Sequence, residues 1–291
     1  MTWTADDMPD LRGRTAVVTG ANSGLGRVTA TELARHGAHV IMAVRNTAAG
    51  ERVAPAGAEV RHLDLADLAS VRAFAKGVGE IDLLINNAGL VLLGPRQQTA
   101  DGFELHLGTN MLGPFALTGL LLDRVKDRIV SLSSIVHKRA RLEFDDLMSK
   151  RDYTGSRAYG RSKLATTVFG LELDRRLRAA GSPVMSVLAH PGLTDTNLTP
   201  RANAHRGAFQ QRLINAVSKR ATQSVERGTL PQLYAATAAG VRGGQFFGPS
   251  GLGETRGRVT EVRASEHARD PEVGRRLWAA AVALTGVSYL E

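Results

Sequence analysis

Tyr159 and Lys163 stand four residues apart in Tyr159-Gly-Arg-Ser-Lys163, a spacing that puts both on one face of a helix. A phenol titrates near ~10 when unperturbed, and a neighbouring ammonium favours the phenolate and lowers that value. Such a pair makes an acid/base usable near neutrality, although Tyr-x-x-x-Lys alone is a common pattern. Ser134 closes the run Arg128-Ile-Val-Ser-Leu-Ser-Ser134, which sets a hydroxyl at the end of a strand. Ser133 and Ser134 also read as a pair of strand-end hydrogen bonders. Asn110 sits inside an otherwise apolar helical stretch, where an amide is costly unless it is used. The plain alternative there is a kink beside Gly113-Pro114.

A second constellation binds rather than reacts. Thr15–Thr19 reads as a buried strand, and Gly20-Ala-Asn-Ser-Gly24-Leu-Gly26 leads from it into a helix. Gly20 permits the turn, Gly24 lets a pyrophosphate approach the backbone, and Gly26 lets the helix pack close on the sheet. The helix N-terminus adds free N–H groups and the positive end of a dipole. The second strand ends in Val44-Arg45-Asn46, where NAD sites usually carry an acid for the ribose 2′-hydroxyl. The missing acid favours NADP over NAD, with the Arg45 guanidinium forking the 2′-phosphate. A solvated surface arginine is the alternative. Asp64 ends the third strand and either accepts from an adenine amino group or caps the following helix.

The elements that must carry these residues alternate along the chain. Strands are expected at 15–19, 40–44, 60–63, 81–86, 128–132, 184–189 and 245–247. Helices are expected at 24–36, 68–78, 100–122, 157–180, 224–239 and 271–284. Strict β/α alternation forces right-handed parallel crossovers, hence an α/β, doubly wound, mostly parallel sheet of Rossmann type in a single domain over 1–291. Ligands then sit at the carboxyl ends of the strands, where every motif above falls.

Composition removes other classes. The 291 residues are 43% hydrophobic and 22% charged, a globular balance. With no Cys, disulfides, thiolate metal sites and thiol nucleophiles are excluded, and no metal site is read. Met1–Asp10 lacks the apolar core of a secretory signal, and the apolar run 106–122 carries Asn110, Gly113 and Pro114. No transmembrane segment is expected, and the localisation expected is cytoplasmic. The net charge is +9, but only six of 37 basic residues are Lys and the arginines are scattered. That speaks against a nucleic-acid partner.

Together TGANSGLG (19–26), DL (64–65), NNAG (86–89), Asn110, Ser134, Tyr159/Lys163 and PGLTDT (191–196) resemble a single-domain short-chain dehydrogenase/reductase over nearly the whole chain. The resemblance implies an NADP(H)-dependent oxidoreductase that moves a hydride between nicotinamide and an alcohol or carbonyl substrate. Tyr159 would be the general acid/base, and Lys163 would hold the nicotinamide ribose and lower the Tyr159 pKa. Ser134 would bond the substrate oxygen, and Asn110 would anchor a proton-relaying water. Gly20, Asn22, Ser23, Gly24, Leu25 and Gly26 would cradle the pyrophosphate. Arg45, Asp64 and Leu65, with Asn86, Ala88 and Gly89, would hold the adenosine and ribose. Pro191, Gly192, Thr194 and Thr196 would close over the carboxamide and pyrophosphate.

LEFDDL (142–147), His190-Pro-Gly, DGFE (101–104), LPQLY (230–234) and RLW (276–278) narrow the likeness to the retinol dehydrogenase and protochlorophyllide reductase-like branch, especially its bacterial members. Met111 and Thr166 depart from it, where the branch often has His and Asn, and the lack of Cys argues against light-driven protochlorophyllide reduction. Residues 197–222 read as a substrate loop whose Phe209, Leu213, Ile214 and Val217 form an apolar helical face. That face points to a lipophilic substrate if it acts as a lid, and otherwise packs on the core. A non-catalytic dinucleotide-sensing regulator of the same fold is the rival reading, opposed by the intact Ser134, Tyr159 and Lys163. A nucleotide-sugar epimerase would need another glycine spacing and a larger C-terminal domain. The substrate, the direction of reaction and the oligomeric state, a homo-oligomer included, stay open.

Overall fold

The computed structural model describes residues 2–194 and 222–291. Eight strands form one sheet in the order β3-β2-β1-β4-β5-β6-β7-β8. They are β1 (Thr15–Thr19), β2 (His39–Val44), β3 (Glu59–His62), β4 (Ile81–Asn86), β5 (Val125–Leu132), β6 (Met185–Ala189), β7 (Phe246–Pro249) and β8 (Val259–Glu261). All neighbours pair parallel except β7 with β8. The chain runs outward from β1 through β2 to β3, then returns to β4 on the other side of β1. That reversal opens a crevice at the carboxyl ends of β1 and β4.

Both faces of the sheet are covered, which is why its strands are near-continuous apolar runs. Alternation sorts them: Val17 and Leu84 join one core, Ala16, Val18, Leu83 and Ile85 the other. Helices α1 (Gly24–Arg35) and α7 (Val225–Thr237) lie over the second core. On the first pack α3 (Leu68–Gly77), α5 (Gly113–Leu121), α6 (Gly155–Ala179) and α9 (Pro271–Thr285). The short helices α2 (Thr47–Glu51), α4 (Leu105–Leu107) and α8 (Glu266–Arg269) are the remaining α-helices among the described residues.

Several boundaries differ from expectation, most of them by one to three residues. The helix expected from residue 100 starts at Leu105, because residues 99–102 turn through Gly102 at φ +81°. Glu104 then caps it, accepting from the N–H groups of His106 and Leu107. The last parallel strand is Phe246–Pro249 rather than 245–247, and β8, three residues with no apolar run, was not expected. The kink beside Pro114 is present as a π-turn over Gly108–Leu112. Pro114 has no N–H for the carbonyl of Asn110, four residues back. Thr166 Oγ1 donates to that carbonyl at 3.0 Å.

The span 105–124 is apolar and long enough to cross a membrane, but 78% of its most apolar window is buried within the fold. Gly113 lets this span approach the turn after β3, since a Cβ there would stand 2.3 Å from the Leu65 carbonyl oxygen. Gly113→Ala should therefore destabilise the protein by about 1–3 kcal/mol. Gly79→Ala, where nothing lies within 4 Å, should be near neutral. Urea denaturation of both variants checks the contrast, and equal midpoints would remove the close approach as a constraint.

Candidate active site

At the switch point lies a cleft of about 710 Å³. Its lining includes Gly20, Asn22, Ser23, Gly24, Leu25, Gly26, Arg45, Asp64, Leu65, Ala88, Gly89, Ser134, Tyr159, Lys163, Pro191, Gly192 and Thr194. The sequence had singled out every one of these. A second hollow of about 670 Å³, between β3 and α3, gathers none of them, and its Arg61 is already paired with Glu59.

The glycine loop is built by close approach. Gly20 and Gly24 take φ +67° and +51°. A Cβ on Gly26 would lie 2.4 Å from both the Gly20 carbonyl oxygen and Asn87 Nδ2. Gly26 thus packs the first turn of α1 against the end of β1. Thr19 Oγ1 donates to the Ile85 carbonyl and accepts from Ala88 N–H, which ties β1 to the end of β4. Arg45 lies exposed on the rim, with no ion-pair partner among the described residues. Asp64 is not a helix cap: its carboxylate accepts from Ala66 N–H, and Asp67 caps α3.

Asn86 and Asn110 do not line the cleft. Strand alternation turns Asn86 away, and its amide donates to Thr118 Oγ1 beneath the sheet. Asn87, which the sequence reading passed over, lines the cleft instead and donates to the Thr19 carbonyl. Asn110 is part of the wall, accepting from Leu90 N–H and donating to the Leu90 carbonyl and to Ser162 Oγ. Gly89 fits between Asn110 and Lys163, a Cβ there coming within 3.3 Å of both. Thr109 Oγ1, buried and without a partner, belongs to the cleft lining and was also missed.

The Ser134–Tyr159–Lys163 end of the cleft draws on β5 and α6. Ser133 is occupied, its hydroxyl bonded to the Lys163 carbonyl and to Thr167 Oγ1, whereas Ser134 faces the Tyr159 phenol. Lys163 Nζ donates to the Leu132 carbonyl at 2.8 Å. Burial pushes the Tyr159 phenol above its ordinary value, opposed by the neighbouring Ser134 hydroxyl. Burial also pushes Lys163 down to about 8. The expected lowering of the phenol by the ammonium is thus not produced by the protein alone, because desolvation favours the neutral form of each.

Thr196 and residues 197–221 of the expected substrate loop lie outside the described residues. The chain on either side of them meets at the rim, where Thr194 pairs with Gln223 and Gln223 Nε2 donates to the Pro191 carbonyl.

The fold, the glycine turn at the crevice and the Ser134–Tyr159–Lys163 cluster define a dinucleotide-type oxidoreductase scaffold. The chain belongs to the short-chain dehydrogenase family, whose profile matches residues 14–207. Within it the relatives place the chain on the retinol dehydrogenase-like branch. Human retinol dehydrogenase 13 is 39% identical over 94% of this chain and 85% of its own length. Mouse polyprenol dehydrogenase is 38% identical over 96% and 86%. A crystal structure of an uncharacterized Mycobacterium paratuberculosis protein superposes with a TM-score of 0.84, at 44% identity and 99% coverage of both chains.

The turn that presents Ser134 depends on His137. The imidazole is fully buried, Nδ1 donates to the Ser134 carbonyl at 2.7 Å, and desolvation holds its pKa down at about 4. The unfolded chain takes up that proton near the ordinary 6.5. This contribution is therefore whole above pH 6.5 and is lost as pH falls from 6.5 to 4, by about 3 kcal/mol in all. Melting temperatures of wild type and His137→Gln across that range should converge in acid. Parallel curves would show that His137 does not set the acid limb.

Proposed function

We propose that the protein is an NADP(H)-dependent alcohol dehydrogenase or carbonyl reductase for a lipophilic substrate. One observation carries this reading. A single cleft joins the Ser134–Tyr159–Lys163 cluster to the open N-terminus of α1, with the Arg45 guanidinium, without an ion-pair partner among the described residues, on the rim. That donor set fits the dinucleotide. The first turn of α1 offers N–H groups to a diphosphate, and the Ser23 side chain makes no capping bond that would compete. Arg45 suits a further phosphate. Lys163, with one of its three donors on Leu132, retains others for a ribose.

A bound nicotinamide supplies or accepts the hydride. In reduction the Tyr159 phenol gives its proton to the carbonyl oxygen, and in oxidation the phenolate takes it back. Desolvation keeps the phenol protonated, the form that reduction needs. Ser134 Oγ donates to the same oxygen and fixes its distance from Tyr159. Lys163 stabilises the phenolate when the proton has left. Asn110 acts through the wall, holding Leu90 by both backbone groups.

Leu90, Val91, Leu93, Ile135, Val136 and Leu193 give the cleft an apolar lining. Retinol and polyprenol, in the names of the two relatives, are apolar alcohols. With NADPH and a series of aliphatic aldehydes, kcat/KM should climb with chain length at up to ~0.8 kcal/mol per buried methylene. Tyr159→Phe should lower kcat by about 10²–10⁴-fold on all of them while NADPH still binds. A variant keeping more than about a tenth of wild-type kcat would remove Tyr159 as the acid/base, and a flat series would remove the apolar substrate.

Cofactor choice has a separate test. Arg45→Gln should weaken NADPH by roughly 10- to 150-fold, as expected for lost charge-assisted bonds, and leave NADH almost unchanged. Equal losses for both, read by fluorescence titration, would show that Arg45 does not read a 2′-phosphate.

A further inference from the structure

His190 follows β6, in the His190-Pro-Gly motif that helped narrow the resemblance to its branch. Its ring is wholly buried. Nδ1 accepts from Gly192 N–H at 3.2 Å, so Nε2 carries the proton and donates to Glu254 at 3.0 Å. Glu254 stands in the loop between β7 and β8, and its carboxylate also pairs with Lys138 Nζ, from the turn that follows Ser134. One carboxylate therefore joins the hairpin loop to two walls of the cleft. None of Glu254, His190 and Lys138 lines the cleft itself.

Three further features show that this junction is built. Gly248 makes room for the imidazole, since a Cβ there would lie 2.2 Å from His190 Nε2. Leu193 N–H donates to the Thr255 carbonyl at 2.8 Å, and Gly192 at φ +65° allows that approach. Glu254 itself holds φ +54°, a left-handed conformation that side chains other than glycine seldom adopt. Its carboxyl is pushed down to about 2, foremost by the His190 hydrogen bond and then by Lys138, against the opposing effect of burial. It is ionised throughout the working range.

We propose that Glu254 is a positioning residue: through His190 it fixes the Pro191–Thr194 wall and so sets the affinity for the dinucleotide without touching it. The inference rests on the reading of the cleft as a dinucleotide site. Pro191, Gly192, Leu193 and Thr194 all line the cleft, yet no strand ladder holds them beyond β6. Their placement comes from His190, from Thr255 and from Gln223. Loss of the carboxylate frees the first of these and weakens the second.

The test uses the full-length protein and NADPH fluorescence titration without substrate, followed by steady-state kinetics. Glu254→Ala should raise both Kd and KM for NADPH by about tenfold or more, with kcat at saturating NADPH within about threefold of wild type. Glu254→Gln keeps an oxygen for His190 and loses the pair with Lys138, so its effect should be intermediate. Lys138→Met should match Glu254→Gln, and the double variant should be no worse than either, because both remove one interaction.

A Glu254→Ala protein with a lower melting temperature but unchanged Kd and KM would overturn the proposal and leave a structural brace. If that variant does not fold, Glu254→Gln and Lys138→Met decide: unchanged Kd in both overturns it, and raised Kd in both supports it. Wild type that binds neither NADPH nor NADH would remove the dinucleotide reading and this inference together. Tight binding by wild type and all variants alike would remove the inference alone.

Discussion

The contact between the first turn of α1 and the end of β1 fixes where the rest of the site must go. No Cβ fits at Gly26, which faces the Gly20 carbonyl and the Asn87 amide. Asn87 in turn bonds the Thr19 carbonyl, and Thr19 bonds across to Ile85 and Ala88. Helix, turn and the ends of two parallel strands are thereby locked in register. The sheet ladders carry that register outward to β5 and α6. Ser134 is placed by β5, while Tyr159 and Lys163 are placed by the buried face of α6. The positions of the glycine turn and of the Ser134–Tyr159–Lys163 cluster are thus two consequences of one packed junction.

Beyond the strand ends the described loops carry no ladder and are held by buried imidazoles. His106 donates to Glu104 and accepts from Leu92 N–H, which holds the wall that runs from Ala88 to Leu93. Its ring stands 6.1 Å from that of Tyr159. His137 holds the turn carrying Ser134, and His190 holds the opposite wall. In each case one ring nitrogen serves a backbone group, so neutral imidazole suits a dry loop that lacks regular hydrogen bonding. Glu104 is almost fully buried, and the hydrogen bond from His106 and the N–H groups of the helix start favour its charged form against the opposing desolvation.

The sequence made the sheet, the glycine turn and the Tyr159/Lys163 face legible because each follows from local spacing: a period of two, a period of 3.6, and glycines where no side chain fits. Ser134 was separable from Ser133 only by its place in the strand, and the structure shows the physical difference, one hydroxyl buried in bonds and the other facing the phenol. Asn86 was misjudged because NNAG gives no sign of which amide faces the cleft; the last residue of β4 points down and the next one points in. Asn110 was legible as a costly amide, but not its partners, which lie 20 and 52 residues away in sequence. Glu254 and β8 were invisible, since a three-residue strand and a glycine-rich loop carry no periodic signal. The phenol shift was misread because spacing reveals a neighbouring charge and says nothing of desolvation.

Thr194 and Gln223 pair side by side at the rim of the cleft. The described chain therefore ends before residue 195 and resumes after residue 221 at one point on the rim. Because the two ends are already held side by side by that pair, a change in the length of chain between them adds little closure entropy.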